Sequence, residues 1–434
     1  MNSTNRGLPY GATPPSDWKI VPLKHLATLS NGYVFKSDTW RDSGTPIIRI
    51  ENLNGSKNFN YSDIGLSGRY QVGAGDLLYS WSGNPGTSFG PFRWNAPGKY
   101  FLNQHIFKVS AVGCDKDWLY WALKTATHWI ERELTSGMIG MVHVTKDELA
   151  NIPLPLPPLE EQRRIADFLD AKIARNDRII ETQNRALGRL AERRAVFAHA
   201  AVTGLREGER RPTSVPWSDA LPAKWGEGKL SLFARMGSGH TPSRSRPDWW
   251  LNCTIPWITT GEVAQIRDDR AEEISETREK ISEIGLANSA AELCPRGTVV
   301  LCRTASAGYS AVMGADMATS QDFVTWQCGP KLNPFYLLWC LRAMRGDLLG
   351  RLAMGSTHKT IYVPDLQMLR IPLPSMPEQQ RIVELVRRSN RAADSATDAV
   401  KRQVTLLTER RQALITAAVT GQFDVTTARG ADLS

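Results

Sequence analysis

Two short loops put hydrogen-bonding side chains directly behind strand-like runs. Tyr79-Ser-Trp-Ser-Gly-Asn-Pro-Gly86 continues Asp76-Leu-Leu-Tyr-Ser80, and Arg303-Thr-Ala-Ser-Ala-Gly308 continues Thr298-Val-Val-Leu-Cys302. They offer hydroxyls (Ser80, Ser82, Thr304, Ser306), an amide (Asn84) and a guanidinium (Arg303). Such groups suit phosphate oxygens and base edges. Two tripeptides, Asn103-Gln104-His105 and Ser320-Gln321-Asp322, each lead into an apolar run and carry the same chemistry. Lys36, Arg49, Asn52, His240, Arg244, Thr259, Thr260, His358 and Lys359 complete the candidate contact residues. An ordinary Gly-rich turn explains either loop taken alone, and only the recurrence of both brings recognition into the reading. Trp94 and the pair Trp249-Trp250 read as core or loop anchors rather than stacking platforms.

Bond-making chemistry finds no matching pattern. An adenine methyltransferase would show Asn/Asp-Pro-Pro-aromatic, whereas the Asn-Pro pairs here are Asn84-Pro85-Gly86 and Asn333-Pro334-Phe335. No G-x-x-x-x-G-K-[ST] loop occurs, and the seven histidines form neither HExxH nor a deaminase signature. Asp248 and Glu262 could be imagined as nuclease carboxylates, but no lysine stands beside Glu262. The six cysteines show no CxxC pair and no partnering His spacing, which predicts buried reduced thiols and no metal. Lys and Arg outnumber Asp and Glu by 53 to 44, a mild excess that favours an acidic partner. The excess is spread as +3 over 1–151, +3 over 152–211, +1 over 212–370 and +2 over 371–434, so no basic tail exists. Neither a signal-peptide core nor a run of eighteen apolar residues is present, which predicts a soluble, cytoplasmic protein.

The elements that would position these groups occur twice. Glu192-Arg-Arg-Ala-Val-Phe-Ala-His-Ala-Ala-Val-Thr-Gly204 matches Glu409-Arg-Arg-Gln-Ala-Leu-Ile-Thr-Ala-Ala-Val-Thr-Gly421 at eight of thirteen positions, 217 residues apart. Upstream, IPLPLPPLEEQRRI (152–165) answers IPLPSMPEQQRI (371–382). Fainter echoes link Pro15-x-x-Trp18 with Pro222-x-x-Trp225, Leu23…Gly32 with Leu230…Gly239, and Gly75-Asp-Leu-Leu with Gly297-Thr-Val-Val. Ser82…Gly86 likewise matches Thr304…Gly308, and Trp118-Leu-Tyr-Trp-Ala-Leu123 matches Tyr336-Leu-Leu-Trp-Cys-Leu341. The order is A, B, A′, B′, with B closely alike and A divergent.

From Glu160 to Thr203 there is no proline and one glycine, so B predicts a single helix of roughly 65 Å. A heptad seam runs along it through Leu169, Ile173, Ile180, Leu187, Leu190 and Phe197. In B′ the same register gives Val386, Ala393, Val400, Val404, Leu407 and Leu414. A rod that long must pack on something. The economical partner is the other copy, parallel or antiparallel, and the alternative is its own A module. Modules A and A′ carry short strand-like runs cut by turn signals plus one amphipathic helix each (117–134 and 333–349), which predicts an α+β fold with an irregular or barrel-like sheet.

These residues resemble the specificity subunit of type I restriction-modification systems. The resemblance rests on IPLPLPPLEEQRRI and IPLPSMPEQQRI, both ERR…AAVTG helix ends, the Pro-x-x-Trp openings, and Gly75-Asp-Leu-Leu with Asn103-Gln-His. It implies an α+β protein: two globular target recognition domains alternating with two long helices that pair as an antiparallel coiled coil, in an internal pseudo-two-fold repeat. The segments would be 1–151 and 206–370 for recognition, 152–205 and 371–424 for the helices, and 425–434 as a tail. Each recognition domain would read one half of a bipartite, asymmetric duplex DNA site, with the helices setting the spacing. The chain would itself be no enzyme. It would carry two modification (methyltransferase) subunits and two restriction (translocase and nuclease) subunits, to which S-adenosylmethionine, ATP and Mg would belong. A′ departs from A in having Gly297-Thr298 for Gly75-Asp76 and Ser320-Gln-Asp for Asn-Gln-His. The rival readings are a coiled-coil adaptor that binds no DNA and a fused or cryptic nuclease.

Overall fold

The computed structural model describes residue 8 and residues 12–135, 141–205, 208–354 and 359–425. Its principal helices are α1 (Lys116–Thr135), α2 (Leu159–Val202), α3 (Pro334–Ala343) and α4 (Met376–Val419). The chain divides into two compact units, Met1–Thr182 with Gln403–Ser434, and Gln183–Arg402. Each unit therefore combines one module with the first part of one long helix and the last part of the other.

The heptad seam predicts which faces are covered. Along α2 the a and d positions are buried or half-buried throughout, while most of their neighbours are exposed. In the first unit Ile165, Ala166, Leu169 and Ile173 share a core with Ile415, Ala418 and Val419. In the second, Ala198 and Val202 share one with Ile382, Val383 and Val386. Early residues of one helix meet late residues of the other, so the pairing is antiparallel. Polar seam residues find partners across it. Asn176 Nδ2 donates to the Leu407 carbonyl at 2.9 Å, Arg411 reaches Asp177 at 3.1 Å, and Arg194 reaches Asp394 at 2.7 Å.

The repeated motifs converge where module meets helix. Gly421 and Gly204 close the helices in left-handed conformations, with φ +74 and +61. A Cβ on Gly421 would lie 2.3 Å from Pro15 Cδ and 3.2 Å from Trp18, and one on Gly204 would lie 2.4 Å from Pro222 Cγ and 3.1 Å from Trp225. The Pro-x-x-Trp opening is thus seated on the glycine of Ala-Ala-Val-Thr-Gly in both units. The Pro-rich segments run extended as two-stranded pairs, Lys19–Pro22 with Pro153–Leu156 and Gly226–Lys229 with Arg370–Leu373.

The glutamine of each Glu/Gln motif, Gln162 or Gln379, is buried at the helix start. Gln162 accepts from the Asp115 N–H at 2.7 Å and donates to the Pro157 carbonyl at 2.8 Å. Gln379 does the same with the Asn333 N–H (2.8 Å) and the carbonyls of Lys331 and Pro374 (3.0 Å each). One side chain in each unit fastens the module helix to the long helix.

Among the described residues, each module holds two larger sheets and several two-stranded pairs rather than a single barrel-like sheet. The first has a four-stranded antiparallel sheet ordered Ala27–Asn31, Ile106–Ala111, Asp76–Ser80, Gly90–Trp94, and a second sheet ordered Asn60–Ser62, Thr45–Ile48, Tyr100–Leu102, Gln71–Val72. The other has a five-stranded sheet (Ala234–Ser238, Phe323–Cys328, Val299–Cys302, Ser310–Met313, Glu273–Ile274) and a three-stranded one. Helix α3 stops at Ala343, short of its predicted end, and is followed by the turns Arg345–Asp347 and Leu348–Leu352. Gly346 lies at that break, and Arg345 turns back to Asp269 (2.6 Å) and the Gly308 carbonyl (2.9 Å).

Gln162→Leu leaves the half-buried Asp115 N–H and the buried Pro157 C=O without this partner, with an expected cost of about 1–3 kcal/mol. Urea unfolding followed by fluorescence should show a lower midpoint for the first unit alone, and Gln379→Leu should lower that of the second.

Candidate nucleic-acid interface

The two tripeptides form the same corner. In the first module Asn103 N donates to the Ile48 carbonyl (3.1 Å), Asn103 Oδ1 accepts from the His105 N–H (3.3 Å), and Gly32 N donates to the Ile106 carbonyl (3.1 Å). In the second, Ser320 N donates to Ile258 (2.9 Å), Ser320 Oγ accepts from the Asp322 N–H (3.4 Å), and Gly239 N donates to Phe323 (3.3 Å). Asn and Ser are interchangeable here because each has a side-chain oxygen that can cap the backbone two residues on. Gly32 and Gly239 must be glycine, since a Cβ would stand 2.1 Å from the Asn103 carbonyl oxygen or 2.2 Å from that of Ser320.

The loop behind the strand locks onto this corner identically in both modules. Trp81 N donates to the His105 carbonyl (3.3 Å) and its indole N–H to that of Gln104 (2.9 Å). Arg303 N donates to the Asp322 carbonyl (2.8 Å) and its Nε to that of Gln321 (3.0 Å). A third segment then closes the frame, with Val144 N on the Trp81 carbonyl (3.0 Å) and Ile361 N on that of Arg303 (2.8 Å). One backbone frame therefore carries different side chains: Trp81 against Arg303, His105 against Asp322, and Arg49 against Thr259.

In the first corner the His105 ring lies 5.2 Å from Trp81, and His143 lies 6.0 Å from Trp81 on the other strand of the Ser82–Gly83 pair. Burial, then the neighbouring His143 and Arg49, pull His105 below the usual imidazole value. Gln104 Nε2 and His105 Nε2 stand 3.3 Å apart, while Gln104 Oε1 and His105 Nδ1 are shielded from water and unpartnered. With the amide donating to Nε2, the neutral ring carries its proton on Nδ1. Arg49 contacts Asn60 at 2.8 Å and Glu51 at 3.2 Å and lies 5.0 Å from the Trp40 ring centroid.

Several candidates serve the frame itself. Asn52 is buried, accepting from Arg49 N (2.9 Å) and donating to the carbonyls of Ser56 (3.1 Å) and Asn58 (2.8 Å). Ser80 and Ser82 are buried too, with Ser80 Oγ donating to the Ser82 carbonyl at 2.9 Å and Ser82 Oγ on Met141 sulfur at 3.2 Å. Hydroxyls and amides enclosed in this way hold the loops in shape. Lys36 and Asn84 are exposed, and Asn84 also supplies the carbonyl that closes its own turn.

In the second corner Gln321 Oε1 accepts from Thr241, Thr304 bridges to Thr360, and Ser306 N donates to the Thr304 carbonyl at 2.6 Å. Thr259 precedes the turn that buries Glu262, whose carboxylate accepts from Arg278 N (2.9 Å) and from Gln265. Thr260 is half-buried in that turn, and His240 is exposed beside the corner with its N–H on the Thr319 carbonyl (2.9 Å). Arg244 stands 3.9 Å from the Trp250 ring centroid and 3.0 Å from Glu279. Lys359 is exposed with Nζ on the Leu349 carbonyl (3.4 Å), and His358 lies outside the described residues. Sequence reading passed over His143 and Thr360, which the fold brings in from about sixty residues further on with no local pattern to mark them.

Two divergent modules share one corner frame, and each is seated on the start of one long helix and the end of the other. Residues 15–189 and 222–403 both match the type I restriction modification DNA specificity domain, so the chain belongs to that family. Specificity subunits of type I systems recognise DNA sequence and are not themselves catalytic. The chain is 24% identical over 423 residues to the type I restriction enzyme EcoBI specificity subunit of Escherichia coli, covering 94% of this chain and 86% of that one. It is 21% identical to the putative MjaX specificity subunit of Methanocaldococcus jannaschii, covering 95% of both. Among solved structures, a chain of a type I R-M system superposes with a TM-score of 0.69 at 18% identity, over 95% of this chain and all of that one. The HsdS subunit from Thermoanaerobacter tengcongensis gives 0.51 at 19% identity, over 94% of this chain and 98% of that one. No described helix is long and apolar enough to cross a membrane.

His105 should titrate below 6.5 in histidine NMR spectra of the folded chain. Its proton is held less tightly folded than unfolded, so stability from this group is present above pH 6.5 and lost as pH falls through the folded-state midpoint. A midpoint at or above 6.5 would contradict the geometry.

Proposed function

We propose that the corners at Asn103-Gln104-His105 and Ser320-Gln321-Asp322 each read one half of a bipartite, asymmetric duplex DNA site. The observation that carries this reading is the shared backbone frame with exchanged side chains. A frame fixed by main-chain hydrogen bonds keeps the approach constant, while Trp81 or Arg303, and His105 or Asp322, vary what is presented. In the first corner the unpartnered acceptor of Gln104 and donor of His105 suit a base edge with a donor beside an acceptor, as adenine has in the major groove, once either side chain turns outward. Lys36 in the first module and His240, Arg244 and Lys359 in the second are exposed and suit phosphate contacts that position without specifying.

On this reading the modules are segments 1–151 and 206–370, and the segments 152–205 and 371–424 carry the other subunits. The chain would act with two modification subunits that flip and methylate a base in each half, and with two restriction subunits in the full assembly. S-adenosylmethionine, ATP and Mg would be bound by those subunits.

Methylome sequencing of the source cell with and without this gene should show the loss of one split motif. The chain purified with its modification subunit should then bind that sequence over scrambled DNA, and equal affinity for both across a salt titration would sink the reading. Gln104→Ala should relax one half-site by about tenfold or more, and Arg303→Ala the other. Weakening that is uniform over all sequences would assign these side chains to phosphate.

A further inference from the structure

Asp170 on α2 and Arg387 on α4 occupy equivalent positions, each one residue past a buried seam residue (Leu169, Val386) and 217 residues apart. Both face the module of their own unit. In the first unit Asp170 Oδ1 receives Arg93 Nη1 and the Trp121 indole N–H, each at 2.8 Å. Arg93 also lies 4.3 Å from the Tyr120 ring centroid and 3.2 Å from Asp117. In the second unit Arg387 donates to Glu272 Oε2 (Nε 2.8 Å, Nη2 2.7 Å), while the Trp339 indole donates to Glu272 Oε1 at 3.0 Å. Trp121 and Trp339 are equivalent residues of the repeat. The arrangement is the same in both, a carboxylate held between an indole N–H and a guanidinium. The polarity is opposite: the helix supplies the carboxylate in the first unit and the guanidinium in the second.

The cross-helix bonds behave differently. Arg411 with Asp177 and Arg194 with Asp394 are equivalent pairs of one polarity. These two Arg–Asp pairs keep the internal two-fold between the helices, whereas the ion pair between each module and its helix reverses it.

We propose that this reversed ion pair keys each module to its own helix: position 170 fits a module presenting arginine, and position 387 one presenting a carboxylate. A module set at the other position would place Arg93 against Arg387, or Glu272 against Asp170, half-buried like charges that also deprive an indole or a guanidinium of its partner. The inference holds whatever the corners bind.

The test uses the full chain and a chain in which residues 222–370 replace 15–151, so that the second module occupies both positions. Asp170→Arg should lower the melting midpoint of the natural chain by about 5 °C and raise that of the grafted chain. The same sign in both, or no change in either, overturns the proposal. Should the grafted chain fail to fold with either residue, the natural chain decides. Arg93→Glu and Asp170→Arg should each lower the midpoint, and together they should restore most of the loss. Additive losses in the double variant overturn keying.

Discussion

Antiparallel pairing of two copies of one helix is the constraint on which the other features depend. It brings the beginning of α2 beside the end of α4 in one unit, and the beginning of α4 beside the end of α2 in the other. Every module must therefore close over a helix start and a helix end that are distant in sequence. The buried glutamine fastens it at the start, and the Pro-x-x-Trp seat on a left-handed glycine fastens it at the end. Without the pairing, Gly421 would not meet Pro15 and Trp18, nor Gly204 meet Pro222 and Trp225.

On that base the modules are free to diverge. Their sheets differ in strand number, yet the corner frame survives because it is built from main-chain bonds that most side chains tolerate. The positions of closest approach, Gly32 and Gly239, the capping oxygens of Asn103 and Ser320, and the side-chain N–H that Trp81 or Arg303 donates to the corner are constrained by type. Selection can then act on His105 or Asp322, and at Trp81 or Arg303 among side chains that keep the N–H donor, without unsettling the sheet beneath them.

The repeat, the helices and their seam were legible in the sequence because they depend on short-range pattern: a heptad, a helix-ending glycine, an Arg-Ile after a Glu/Gln pair. The corners were legible in part. Asn103-Gln104-His105 and its counterpart stood out by recurrence, but Asn52, Ser80 and Ser82 are the same residue types enclosed within the fold, and type alone does not separate a presented hydroxyl from a spent one. His143 escaped notice because only strand pairing brings it to Trp81. Arg93 and Glu272 escaped it because, unlike Asp170 and Arg387, they come from strand neighbourhoods with no matching register in the repeat.

The bonds between the helices also carry a history. An Arg–Asp pair that recurs with the same polarity could form just as well between two separate chains of half the length, because each copy supplies one arginine and one aspartate. Such a pair could precede the doubling of the gene. A contact whose charges are reversed between the copies needs two unlike halves and could arise only after they had begun to differ. The seam would then date from a symmetric ancestor, and the loss of its symmetry would be recorded at the module contacts, where the two halves became unable to stand in for each other.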